Sequence, residues 1–169
     1  DDPLTTGRGV FDYRDTATFI DSAGHGLDPS PHNKAYFDAH LRALARYWEM
    51  VSNGQLVLEH EIWPPESEAA YTLPENMSFY GEQPPAFGLG QFVYDAIQVA
   101  YQVDSVKYRD EATGRRKAII IFHAGADQQN NLPFAGQDTP NDLFTGFATF
   151  LGSSRIIIDP DTTIAGDDT

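Results

Sequence analysis

The sequence predicts an α/β domain of the α+β kind, in which a mixed twisted sheet carries two main helices, at about 31–53 and 90–103. Three observations predict it. The run from His32 to Ser52 repeats its apolar residues at helical spacing and stops at Asn53-Gly54. Gln55 to Ile62 changes to a period of two, and Lys117-Ala118-Ile119-Ile120-Ile121-Phe122 is the continuous apolar run expected of a strand covered on both faces. Helical and strand-like segments alternate along 169 residues without repeats, low complexity or a linker, so residues 1–169 read as a single domain.

Each element has its own signals. Residues 1–31 mix Gly, Pro, Asp and Thr, and only Gly9-Val10-Phe11-Asp12-Tyr13 alternates as a strand would. Ser30-Pro31 supplies a candidate N-cap and first-turn proline for the first helix. On that helix Phe37, Leu41, Leu44, Trp48 and Val51 form the stripe expected to be buried, while Lys34, Asp38, Arg42, Arg46 and Glu49 face water. The strand at 55–62 ends at Trp63-Pro64, because proline cannot donate to a ladder and restricts the residue before it. A loop rich in Pro, Gly and Asn, holding Phe79-Tyr80, runs to about Gly90. The second helix buries Val93, Ala96, Ile97, Ala100 and Tyr101. A charged turn at 109–116 leads into the apolar strand. After an acid- and amide-rich loop, a short helix is expected from Asp142 to Phe150 and a last strand at Arg155-Ile156-Ile157-Ile158.

Composition narrows the chemistry. Eleven Lys and Arg against twenty-five Asp and Glu give a net charge of −14, which repels phosphate backbones and anionic headgroups. Nucleic acid and direct membrane insertion are therefore excluded as expectations, and no apolar run approaches the ~20 residues of a membrane span. With no Cys, thiolate metal sites, disulfides and Cys nucleophiles are absent. The chain starts at Asp1 rather than Met, the mark expected of a processed or truncated chain. Its acidic, cysteine-free composition suits an extracellular or otherwise extracytoplasmic location.

Several local patterns invite a catalytic reading. Leu58-Glu59-His60-Glu61-Ile62-Trp63-Pro64 begins like the zinc helix His-Glu-x-x-His, but Pro64 stands where the second histidine belongs. The period of two also sends His60 and Glu61 to opposite sides, so the match is accidental. Glu59 and Glu61 share a face and read as wet-side acids rather than a glycosidase pair. No Gly-x-Ser-x-Gly elbow or phosphate-binding loop occurs. His32 and His40 lie two helical turns apart, too far to share a metal. His123, with Gly125 two residues on, follows a buried strand where α/β proteins place functional groups, as an active-site rim or an anchor for the loop. Asp127, Gln128, Asn130, Asp138, Asn141 and Asp142 supply hard oxygen ligands, with Asp127, Asp138 and Asp142 the candidate calcium set, although the spacing is not that of an EF-hand.

An ordered set of stretches carries a resemblance. These are Gly7-Arg8-Gly9-Val10-Phe11, Ser30-Pro31-His32-Asn33-Lys34-Ala35-Tyr36-Phe37, and Leu44-Ala45-Arg46-Tyr47-Trp48-Glu49-Met50-Val51-Ser52-Asn53-Gly54-Gln55-Leu56. Trp63-Pro64, Ala70-Tyr71-Thr72-Leu73-Pro74, Met77-Ser78-Phe79-Tyr80-Gly81 and Phe122-His123-Ala124-Gly125-Ala126-Asp127 complete it. In order and spacing the set resembles the N-terminal part of the catalytic domain of the immune-inhibitor-A-type secreted zinc metallopeptidases.

The resemblance implies a zincin-like N-terminal subdomain, preceding a helix that bears His-Glu-x-x-His. It also implies zinc in the complete enzyme, held by two histidines and a further ligand, a glutamate that activates metal-bound water, and a peptide substrate. No His-Glu-x-x-His occurs in residues 1–169, so this chain carries no catalytic residue and no zinc ligand of that family. It reads as an incomplete catalytic domain lacking the zinc-binding helix, not competent for catalysis by itself. The alternatives are a non-catalytic structural or binding subunit of an extracytoplasmic assembly, or a calcium-stabilised binding domain. A partner chain or a C-terminal segment is expected to cover the last strand.

Overall fold

The computed structural model describes residues 2–6, 9–14, 30–81, 85–110, 112–114, 117–128, 139–144, 155–159 and 162–165. Along them run α1 (Lys34–Val51), α2 (Met77–Tyr80), α3 (Pro85–Asp104), β1 (Arg155–Asp159) and β2 (Thr162–Ala165). The chain divides into two compact units, one of Asp1–Val10 with Tyr71–Thr169, the other Phe11–Ala70.

The expected mixed twisted sheet is not formed. Among the described residues the only sheet is an antiparallel hairpin of β1 and β2, registered Arg155↔Ala165, Ile156↔Ile164 and Ile157↔Thr163, then shifted at Asp159↔Thr162. The expected last strand exists, with a near neighbour in sequence as its partner. Residues 55–62 and 117–122 form no strand and enter no ladder, despite their alternating and β-branched composition. Residues 9–13 are irregular rather than a strand. Extended propensity is local, whereas a sheet needs a second strand in register, and here a mostly helical chain results.

In the larger unit α3 builds the core. Ile97 and Ala100 are buried with Val106 and Tyr108, and Tyr71, Val93 and Tyr101 pack around them. A second cluster joins Tyr80, Phe92 and Leu143, flanked by Leu73, Met77, Leu89 and Ile121. Burying a side chain such as Ile97 contributes about 1.5–3 kcal/mol. Of the expected face, Ile97 and Ala100 are buried and Val93, Ala96 and Tyr101 half-buried, whereas Phe92 and Asp95, not expected there, are buried too; the helix begins at Pro85, five residues before Gly90. Pro85 suits a first turn, and Gly88 lets the helix pass against the Tyr80 carbonyl, where a Cβ would collide. The residues that read as loop are thus the start of a helix. Phe79-Tyr80, also expected in that loop, lies in α2.

In the unit of 11–70, α1 starts about three residues later than expected. Asn33 is its N-cap, accepting at 3.1 Å from the Tyr36 amide. Ser30 is instead buried at 2 % exposure, with no hydrogen-bond partner for its hydroxyl among the described residues. At the other end Asn53 and Gly54 both take positive φ, and the Gly54 amide donates to Glu49 O at 2.7 Å, closing the helix where the sequence says it stops. The stripe of α1 is not buried: Leu44, Trp48 and Val51 are 39, 42 and 53 % exposed, and no residue of the helix counts as buried. A 3.6-residue period reports an amphipathic helix; cover must come from another element.

Candidate functional site

The candidate site residues fall in the larger unit, where the chain after residue 122 returns past α2 and α3. The His123 ring meets Phe92 edge to face, with centroids 6.1 Å apart. Burial pushes its imidazole below the ordinary value, against weaker upward effects of the Ala124 backbone and the Asp127 charge. The neutral ring is favoured, as suits a side chain packed on an aromatic face. Beside it Gly125 has φ +104, and a Cβ there would sit 2.7 Å from Met77 Cε and 2.8 Å from its Sδ. Only glycine fits both the backbone conformation and the contact.

The same packing holds a polar network that sequence reading missed. Tyr80 donates at 2.8 Å to Oδ2 of the buried Asp95, whose Oδ1 accepts from Gln91 at 2.9 Å. Burial first, then the bond to Asp95, pushes the Tyr80 hydroxyl up, so it stays protonated as the donor. Burial likewise pushes Tyr108 up to about 12, and its hydroxyl donates to Ile97 O at 3.1 Å. The Gln91–Asp95 spacing of four was a visible helical pair; its closure on Tyr80 depends on tertiary packing.

The candidate calcium ligands are only partly assembled. Asp127 forms an isolated parallel bridge with Leu143, which brings the segments of Asp127 and Asp142 side by side. Asp142 is completely buried, and its carboxylate accepts from the Thr6 amide at 2.6 Å and the Thr139 amide at 2.8 Å. Those bonds tie the N-terminal segment to the 139–143 turn and occupy both oxygens. The expected helix from Asp142 does not start there, since residues 142–144 are non-helical, and 145–150 lie outside the described residues. Asp138 and Asn130 also lie outside them. Among the described residues no group of three His, Asp or Glu side chains is disposed to hold a metal ion.

Gln128 was one of six oxygen-bearing candidates, yet its nitrogen is what the structure uses. Nε2 lies 3.0 Å from Gly81 O, 2.9 Å from Pro140 O and 2.5 Å from Asp142 O, while its own amide donates to Leu143 O at 3.0 Å.

In the unit of 11–70 the histidine of the apparent zinc motif is hydrogen-bonded to a carboxylate. His60 Nε2 lies 2.8 Å from Asp38 Oδ1, and Arg42 lies 3.0 Å from Asp38 Oδ2. The bond from His60, then the Arg42 charge, draws the Asp38 carboxyl down. The His32 ring meets Tyr36 edge to face at 5.0 Å and the His40 ring lies tilted against it at 4.4 Å, with His40 Nδ1 2.9 Å from Tyr36 O. Glu59 and Glu61 are exposed. Arg42, Arg46, Met50, Val57, Leu58 and His60 line a shallow open trough.

Chemically, then, the described residues hold loops with backbone-directed carboxylates and amides, and present one partly buried neutral imidazole. No described helix is long and apolar enough to cross a membrane. No family model, curated protein or solved structure matches the chain.

Proposed function

We propose that this chain is the N-terminal portion of the catalytic domain of a secreted zinc endopeptidase, contributing scaffold rather than zinc ligands or the catalytic glutamate. The observation that carries the reading is the ordered set of stretches from Gly9-Val10-Phe11 to Phe122-His123-Ala124-Gly125-Ala126-Asp127. Physical support comes from Gly125, where a Cβ would meet Met77 and approach the Gly9 Cα at 3.9 Å. Residues of three of those stretches thus pack at one point, and His123 serves as an anchor on Phe92 rather than as a ligand. Zinc and the attacking water belong to a helix outside residues 1–169 in this reading.

The test compares two proteins, the 169-residue chain alone and the chain continued through the coding sequence that follows Thr169. The longer protein is expected to contain a His-Glu-x-x-His, bind one zinc and cleave casein, and to lose cleavage when that glutamate becomes glutamine. The 169-residue chain is expected to do none of these. A continuation without the motif, or one with the motif that neither binds zinc nor cleaves casein, overturns the enzyme reading in favour of a non-catalytic extracytoplasmic subunit.

A further inference from the structure

Residues 2–6 are held in the larger unit as a ligand would be, by polar groups rather than by buried side chains. The Asp2 carboxylate accepts from the Ser78 amide at 3.0 Å, and Leu4 O accepts from Thr139 Oγ1 at 2.8 Å and from Asn141 Nδ2 at 3.4 Å. The Thr6 amide donates to Asp142 Oδ1 at 2.6 Å, and Thr6 O accepts from the Ala126 amide at 3.5 Å. Pro3 and Leu4 add little burial to these bonds, since both are exposed, Leu4 by 58 %. The segment also carries its own shape. The Thr5 amide donates to Asp2 O at 3.2 Å and the Leu4 amide to Asp2 Oδ1 at 3.0 Å, closing a turn in which Pro3 fixes φ at the second position. Without residues 2–6, the completely buried Asp142 carboxylate would keep the Thr139 amide but lose that of Thr6, and the donors at 78, 126, 139 and 141 would all lack these acceptors.

We infer that these groups form a peptide-binding groove, which residues 2–6 fill in cis as a self-inhibiting occupant and which takes in trans a peptide carrying the same Asp-Pro-x-Thr-Thr turn. The bonds define what such a peptide must present. Its first residue supplies the carboxylate that serves both its own turn and the Ser78 amide. The proline that follows sets the turn in advance and so lowers the ordering cost of binding. The third position is free in side chain, because Leu4 is read through its carbonyl alone. The fifth must keep its amide hydrogen for Asp142, which excludes proline there. A tethered segment acts at an effective concentration on the order of millimolar, so a peptide in trans competes only when the cis segment is weakened or the peptide is in excess. The inference rests on these bonds and is independent of the peptidase reading.

The test uses the full 169-residue chain carrying Asp2→Ala and Thr6→Pro together, which removes the cis carboxylate and the cis amide donor and leaves the groove intact. A synthetic peptide of residues 1–6, labelled with fluorescein at its C-terminus, is titrated with this protein to about 1 mM and followed by anisotropy. Saturable binding of one peptide per chain is expected, at least about tenfold tighter than to the wild-type chain, whose groove is filled. The same peptide with proline at the position of Thr6 is expected to bind the variant at least about tenfold more weakly. The inference is overturned if the variant, shown by circular dichroism to be folded, binds no peptide saturably, or binds the proline peptide equally well. Should the variant fail to fold, hydrogen exchange on the wild-type chain decides. Excess unlabelled peptide is then expected to speed exchange of the Thr6 amide while the Ser78 and Ala126 amides stay protected, because the trans copy takes over their bonds. An unchanged Thr6 rate would overturn the inference.

Discussion

Helices α1 and α3 are of similar length, 18 and 20 residues, and both were legible as amphipathic, yet they differ in what their apolar faces meet. The face of α3 is closed by Tyr80 from α2 before it and by Val106, Tyr108 and Leu143 from segments after it. That of α1 has only partial cover, from contacts such as Phe11 on Phe37 at 5.3 Å, and its stability rests on its ends: the Asn33 cap and the Asn53-Gly54 stop. Periodicity says which residues share a face. Burial depends on whether distant segments arrive to cover it.

That difference can be broken or sharpened by substitution, with hydrogen exchange read separately over 85–110 and 34–51. Ile97→Ala is expected to have the largest effect, about 2–5 kcal/mol of lost protection over 85–110, because the side chain is 2 % exposed and its removal leaves a cavity. A loss below about 1 kcal/mol would show that this core is loose. Gly125→Ala is expected to cost about 1–3 kcal/mol, from the positive φ and the collision with Met77. Adding Met77→Ala should recover the steric share and leave the backbone share, which a double-mutant cycle separates.

Effects on α1 should be smaller. Asn33→Ala removes the side-chain cap and is expected to cost about 1 kcal/mol, confined to 34–51. Leu44→Ala is expected to stay within about 0.5 kcal/mol, since Leu44 is already 39 % exposed. An effect as large as that of Ile97→Ala would mean that α1 is covered in solution.

The two units should also part on acidification. The folded state holds His123 below its ordinary value of 6.5, chiefly through burial, so the unfolded chain binds the proton first. The larger unit's share of stability from this residue is complete above that value and lost as pH falls below it. In the unit of 11–70 the Arg14 side chain holds the Asp12 carboxyl down to about 2, chiefly by hydrogen bonding. That contribution is present above the unfolded Asp value of about 3.9 and is lost as pH falls to about 2. Being exposed and screened by salt, it is the smallest effect. Exchange measured from pH 8 to pH 2 should place the first loss in 85–128 and abolish it in His123→Asn; simultaneous loss in both units would contradict the assignment.

Within the candidate site, legibility follows the same division. That Gly125 occupies a special position, and that Asp127, Gln128 and Asp142 share a polar region, was readable from residue types alone. That Asp142 serves backbone amides, that Gln128 presents nitrogen rather than oxygen, and that His60 pairs with Asp38 was not. Their most distant partners lie 22 residues away for His60, 47 for Gln128 and 136 for Asp142.

By itself the sequence determined what local forces decide: the stop of α1 at Asn53-Gly54, the burial of Ile97 and Ala100 on α3, and the lack of a second zinc histidine in LEHEIWP. Only the tertiary structure decided which faces are covered, that 55–62 and 117–122 form no ladder among the described residues, and where the buried polar groups find partners. The physical reason is that backbone propensity and capping act within a few residues, whereas burial and polar satisfaction depend on groups brought together from across the chain.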